Sequence, residues 1–369
     1  ATTIDVAGGT FTDAANNNNS AATQFNWTYD STVPTITGSS IASDNSTVAI
    51  TFSEAVFNSS EGSGSLEVSD FVFSISGGTA TLSSATPSSI SVSSNTYTLG
   101  ISLSGSPNGN ETLTVNPASS SIYDVAGNVA STSQSNNTAT LNAVNYVLEL
   151  NGTDEAAYVN DDPAFESTDL SIQVWVDPGS LPSSGNQAWF VNKNKVYRIG
   201  LKNVGGTTNI TAELRDGSGD YEDLQGTTLS DASGGWYHVV FTFDDSSNRI
   251  RLYVNGSQVA SKTHNNSTVN QNSAFSIGRR HDSNAAYYDG KIDEVAYWNT
   301  ELSANAISTL YNSGTPLSAS SNSGNYTSSG NLVAYYQFQE NLNDSEGSFT
   351  LTNYNNNIGS SNYVAETIE

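Results

Sequence analysis

The chain has 369 residues, 36 acidic and 11 basic side chains, a net charge of −25, and neither cysteine nor methionine. This excludes disulfides, zinc–thiolate centres and thiol nucleophiles, and an acidic surface repels nucleic-acid phosphates and anionic lipid. No run of about 18 apolar residues exists to insert in a membrane. A chain without sulfur residues has little to oxidise, which fits an extracellular setting, secreted or attached to a cell surface. The first residue is Ala1, and the absence of an initiator methionine is expected to reflect processing or truncation.

Short alternating runs recur from the N-terminus onward. Thr47–Phe52, Phe71–Ile75, Tyr97–Leu103 and Glu111–Val115 each alternate apolar and polar residues, and Gly, Ser, Asn or Pro fills the gaps. That pattern predicts strands of an all-β sandwich. Asp5-Val6-Ala7-Gly8 returns as Asp124-Val125-Ala126-Gly127, and an Asn-rich tract follows both copies. Residues 1–33 therefore read as the last strand and linker of one repeat, and 34–143 as the next, complete copy. A chain with such an array reads as a piece of a longer protein.

The order Ile50-Thr51-Phe52-Ser53-Glu54-Ala55-Val56, then Tyr123-Asp124-Val125-Ala126-Gly127-Asn128, resembles the bacterial Ig-like repeats of large surface adhesins.

Past the midpoint the chemistry changes. Every Lys and Arg lies between Lys193 and Lys291, where 11 basic residues meet 10 acidic ones. Six tracts are found in and around that window: Leu148-Glu149-Leu150-Asn151-Gly152, Leu170 to Val176, Gly235-Trp236-Tyr237-His238-Val239-Val240, Arg251 to Gly256, Gly290-Lys291-Ile292-Asp293-Glu294-Val295, and Leu302 to Ile307. In order and spacing they resemble laminin-G-like, concanavalin-A-like jelly-roll domains. The resemblance covers 145–358, implies a second β-sandwich, and leaves 359–369 as a tail or linker. Ser303 is expected to cap a short helix over Ala304–Tyr311 stopped by Gly314. Residues 312–331, rich in Ser, Asn and Gly, read as a flexible loop or linker. Asn-x-Ser/Thr triplets abound, as chance dictates in such a composition.

Catalytic constellations are poor. Glycoside hydrolases of this fold need carboxylates two positions apart on one strand. Here Lys291 stands where a carboxylate is needed, none follows at 296 or 297, and adjacent Asp293 and Glu294 are expected on opposite faces. His238 reads as a packed strand histidine, and His264 and His281 as solvated loop residues. No glycine-rich phosphate loop follows a strand.

Calcium is the more credible chemistry, because hard cations take several oxygens and this chain is rich in Asp, Glu and Asn. The jelly-roll resemblance implies a site between the first and a late strand, from Asn151, the Gly152 carbonyl, Asp154 and Asp293. In the Ig-like part, Asp30, Glu54, Asp70, Asp124 and Asn128 are candidates for a calcium clamp against neighbouring repeats, or alternatively for turn hydrogen bonds. Asp216, Asp220, Glu222 and Asp223 have loop spacing but read as a polar hairpin.

Sugars are held by aromatic faces and planar polar groups. Arg279, Arg280, His281, Tyr287 and Tyr288 supply both, and Trp189, Tyr197 and Tyr221 are candidates to line the nearby surface. The sequence thus predicts a non-catalytic adhesin fragment: a calcium-stiffened stalk and a head binding glycan or cell-surface protein. The alternatives are the accessory region of a secreted polysaccharide-degrading enzyme and a structural filament or surface-layer subunit.

Overall fold

Alternating strands build nearly the whole molecule. The computed structural model describes residues 2–215, 219–232, 235–264, 271–282, 285–366 and 368. The chain divides into two units, Ala1–Val144 and Asn145–Glu369.

In the first unit, a four-stranded sheet runs Ile36–Ile41, Thr47–Phe52, Thr96–Gly100, Ile90–Ser93. A three-stranded sheet runs Thr138–Thr140, Thr112–Pro117, Phe71–Ser76. Val48, Ile50 and Phe52 alternate into a core shared with Phe71, Phe73, Tyr97, Leu99, Leu113 and Val115. Thr2–Ile4 pairs antiparallel with Phe25–Trp27, closing a hairpin over residues 2–27. Its apolar residues Ile4, Phe11 and Phe25 are exposed.

The second unit is an all-β jelly roll. Its eight-stranded sheet runs Ser257–Thr263, Arg249–Val254, Tyr237–Asp244, Leu170–Pro178, Asp289–Trp298, Tyr146–Asn151, Tyr363–Ala365, with Leu332–Tyr336 also paired to Asp289–Trp298. The seven-stranded sheet runs Tyr221–Leu229, Thr207–Arg215, Tyr197–Val204, Gln187–Lys193, Phe275–Ile277, Ala157–Val159, Thr352–Asn353. Ile172, Val174, Val176, Phe241 and Ile292 from the first sheet meet Tyr197, Ile199, Leu201, Ile210 and Ala212 from the second in one buried core.

The far side of the eight-stranded sheet is also covered. Ala296, Trp298 and Tyr335 pack against Ala306, Ile307 and Leu310 of the helix Ala304–Tyr311. Ser303 caps that helix, its Oγ accepting from Ala306 N at 3.2 Å. The helix has the expected bounds, but Asn312 rather than Gly314 stops it, by taking the left-handed conformation (φ 44°).

Two expectations are corrected here. Residues 359–369 are not a tail, since Tyr363–Ala365 pairs with Tyr146–Leu148 as a strand. The segment 312–331 is not a free linker: Tyr326 is buried, donates to Ala319 O at 2.6 Å and accepts from Trp298 Nε1 at 2.9 Å. One aromatic anchor overrides the polar composition around it.

Candidate functional site

Because Tyr197, Ile199 and Leu201 face the core, Arg198, Gly200 and Lys202 face outward from the seven-stranded sheet. Cross-strand register then aligns Tyr158, Ser276, Asn192, Arg198, Glu213 and Asp223 in one row across six strands. At the usual strand spacing this row spans roughly 24 Å. A bulge between Trp189 and Val191 lets both Phe190 and Val191 face the core, which turns Trp189 and Asn192 to the outer face. Gly200 makes room for the indole: a Cβ there would lie 2.8 Å from Trp189 Cε3.

Charge on this face is internally balanced. Arg198 Nε pairs with Glu213, and Lys202 Nζ lies 2.7 Å from Glu213 and 2.9 Å from Asp223. Burial alone would raise the Asp223 carboxyl, but hydrogen bonds from Lys202 and Thr211 outweigh it and hold it low. The Arg198 guanidinium carbon sits 4.7 Å from the Trp189 ring centroid and 3.9 Å from that of Tyr221. On the same face the Asn192 amide and Trp189 Nε1 are buried with no hydrogen-bond partner.

A cleft of about 390 Å³ opens at one end of the row, lined by Asn160, Asp161, Asn194, Ser273, His281 and Asp282, among others. Tyr158 lies at its edge, ring centroid 4.7 Å from that of His281. Asn194 Nδ2 donates to Asp282 at 2.6 Å, and Lys193 Nζ donates to Asp161 at 2.6 Å, so both walls are fixed by hydrogen bonds. Arg279 underpins the rim. It is only 3% exposed, stacks 3.4 Å from the Tyr354 centroid, and donates to Tyr287 Oη at 3.1 Å and His281 O at 2.9 Å. Burial, and then the Arg279 charge, lower the His281 pKa, which favours the neutral ring.

The structure thus gathers Trp189, Tyr221, Arg279, His281 and Tyr287 on one face of the jelly roll. Arg280 stands beside them, paired with Asp282 at 2.7 Å. Tyr288 and Tyr197 are corrected: both are buried on the inner side, Tyr288 donating to Lys291 O at 3.1 Å and Tyr197 to Phe165 O at 3.1 Å. Asn192, Arg198, Tyr158 and Tyr354 were not anticipated. The signal for Arg198 was present in Tyr197-Arg198-Ile199-Gly200-Leu201-Lys202, whose alternation puts two cations and a glycine on one face.

The expected jelly-roll calcium site does not assemble. The first and late strands are neighbours, but their antiparallel register sets Asn151 opposite Asp289, four residues from Asp293. Asn151 Nδ2 instead donates to Asp154 at 2.9 Å within the turn carrying Gly152, while Asp293 accepts from Asn145 Nδ2 at 3.2 Å. In the hairpin candidate, Glu222 pairs with Lys262 and Asp223 with Lys202, and Asp216 lies outside the described residues.

The first unit differs. Asp30, Glu54 and Asp124 offer carboxylate oxygens that all lie within 4.8 Å of one another. Partial burial, then the charges of Asp124 and Asp30, raise the Glu54 carboxyl. Asn128 stands beside them as a donor, its Nδ2 2.8 Å from Asp124 and 3.3 Å from Asp30 O. Asp70 sits apart, accepting from Glu67 N at 2.7 Å to close the 3₁₀ turn Val68–Asp70.

Two further readings are corrected on the eight-stranded sheet. Asp293 and Glu294 share its outer side, because Glu294 adopts φ 54° in a bulge opposite Val174. Burial raises both carboxyls, Glu294 to about 8, and they line a cavity with Thr315 and Pro316. His264 is buried against Phe243 (5.2 Å between ring centroids), not solvated. His238 is buried, with Nε2 2.9 Å from Gln173 Oε1, and burial lowers its pKa to about 3. It is a neutral, packed strand residue.

Two sandwiched sheets carry an aromatic, polar outer face. Residues 151–308 match the profile of the concanavalin A-like lectin/glucanases superfamily. Three solved structures are similar to the chain. A candidate carbohydrate-binding protein of Bacteroides ovatus is 18% identical, with a TM-score of 0.48, over 89% of this chain and 95% of that one. The SAP-like pentraxin of Limulus polyphemus is 14% identical, with a TM-score of 0.37, over 56% of this chain and 92% of its own. The CBM40 domain of a Ruminococcus gnavus sialidase, bound to α2,3-sialyllactose, is 14% identical, with a TM-score of 0.36, over 45% and 96%. No curated protein matches. The concanavalin A-like unit places its aromatic and amide side chains on the outer face of the seven-stranded sheet and in the adjoining cleft.

Proposed function

We propose that the concanavalin A-like unit is a non-catalytic carbohydrate-binding head, and that the first unit is its calcium-stiffened, Ig-like stalk in an extracellular adhesin. The observation that carries the reading is the cleft beside Tyr158 and His281. It joins half-exposed rings, suited to the C–H faces of a sugar, with Asn, Asp and Ser groups that exchange hydrogen bonds with hydroxyls. The adjacent carboxylates Asp293 and Glu294, and the outward-facing Glu213, are also poorly placed for hydrolysis. Asp293 and Glu294 are buried, and Glu213 is occupied by two cations.

In the stalk, Asp30, Glu54 and Asp124 suit a hard cation by donor type and mutual distance. A bound ion would supply the positive charge that residues 1–143 lack entirely. The reading is tested on a glycan microarray with the full chain. Saturable binding to a defined set of glycans supports it, and a blank array across neutral and acidic glycans overturns it.

A further inference from the structure

Asn192 and Trp189 are fully buried on the outer face of the seven-stranded sheet, and three of their polar atoms, Asn192 Oδ1 and Nδ2 and Trp189 Nε1, have no hydrogen-bond partner. Buried polar groups in folded proteins are nearly always satisfied, so three unmet atoms this close together need an explanation. On the next strand Arg198 pairs with Asn192 and Gly200 with Trp189, which fixes the two side chains along one short stretch of sheet.

The indole is covered by a cation from the next strand. The Arg198 guanidinium lies over the Trp189 ring and beneath Tyr221, and its side chain is 12% exposed. Its anionic partner, Glu213, is fully buried and would be costly to strand. Glu213 has a second cation, however, because Lys202 Nζ sits 2.7 Å from its other oxygen. An outward swing of Arg198 from between the two rings would leave Glu213 with Lys202 as its counter-ion.

We propose that Trp189, Asn192 and Arg198 form a covered subsite for a neutral pyranose, gated by the Arg198 side chain. With Arg198 displaced, the sugar ring stacks on the indole that lies across Gly200. The Asn192 amide then donates to one hydroxyl and accepts from its neighbour. The proposal rests on the carbohydrate-binding reading and narrows it to one ligand class at one place.

The test uses the full chain and a series of methyl pyranosides (glucoside, galactoside and mannoside), followed by tryptophan fluorescence and thermal melting. Asn192→Leu should melt higher than wild type without sugar, since it removes an unmet amide, yet bind the responding glycoside at least about tenfold more weakly. Trp189→Phe keeps a smaller ring with less stacking area, and should also weaken binding and abolish the fluorescence change. Arg198→Met, which removes the gate and leaves Lys202 on Glu213, should bind more tightly. Binding in Asn192→Leu and Trp189→Phe equal to wild type overturns the subsite while leaving the microarray result standing. A wild-type chain that binds neither array glycans nor methyl pyranosides overturns the carbohydrate reading and the subsite together.

Discussion

Arg279 shows how far a residue's surroundings can change its meaning. As one of two adjacent arginines in a polar stretch it reads as an exposed donor, but the Tyr354 ring, Tyr287 and the His281 carbonyl enclose it. Arg280, next to it, keeps a side chain that is 32% exposed and a surface ion pair. Arg279→Ala should therefore lower the melting temperature clearly, by loss of a buried network. Arg280→Ala should change stability by no more than about 0.5 kcal/mol. Calorimetry on the two single variants separates them, and equal melting points would contradict the burial of Arg279.

Glu111 is a second case. Burial would raise its carboxyl, but backbone N–H groups of Ala80, Asn108 and Thr79 outweigh that and hold it at about 2. A carboxyl lowered on folding contributes stability that is complete above the unfolded value near 4.5 and is lost as pH falls toward about 2. Glu111→Gln should thus destabilise the first unit at neutral pH and make little difference near pH 2. Chemical denaturation at the two pH values measures this.

Among the elements, strand Asp289–Trp298 carries the most unusual chemistry. Its bulge puts Asp293 and Glu294 on one side, where burial holds Glu294 protonated up to about 8. The sign is opposite to that of Glu111. A raised carboxyl contributes fully below pH 4.5, and its contribution declines as pH rises through about 8. Unfolding of the second unit should become easier across that window, and Glu294→Gln should flatten the decline. An unchanged pH profile in the variant would show that Glu294 is ionised in the fold.

How much of these elements could be read in advance follows from their physics. Thr47–Phe52 was legible residue for residue, because both its faces obey a period of two. Ser303 announced its helix through its own hydroxyl. The bulges at Trp189 and Glu294 were not legible, because an extra residue in one strand is defined only by its partner strand. The failed calcium site has the same cause, since register, not adjacency, decides whether Asn151 and Asp293 meet. The core aromatics Tyr197 and Tyr288 were indistinguishable by composition from the outward Tyr158, and only alternation against a known partner strand separates them.

For the whole molecule, charge is divided between two chemically distinct units. Residues 1–143 hold 10 acidic residues and no base, and every Lys and Arg belongs to the concanavalin A-like unit. Calcium in the first unit should raise its melting temperature, because an ion that binds only the folded state stabilises it by mass action. Scanning calorimetry in millimolar calcium and in excess chelator should differ for the wild-type chain and coincide for Glu54→Gln. Identical wild-type curves would remove calcium from the first unit.

The second unit is proposed to bind carbohydrate through its outer face and the adjoining cleft. Tyr158 and His281 are half-exposed rings at that junction, and their removal leaves the inner core untouched. The most direct measurement is isothermal titration of the strongest microarray glycan into the wild-type chain and into Tyr158→Ala/His281→Ala. Stacking by two rings, each contributing about 1 kcal/mol, predicts a loss of roughly tenfold or more in affinity with unchanged folding. Equal affinity in the two proteins would contradict the placement of the site on this face.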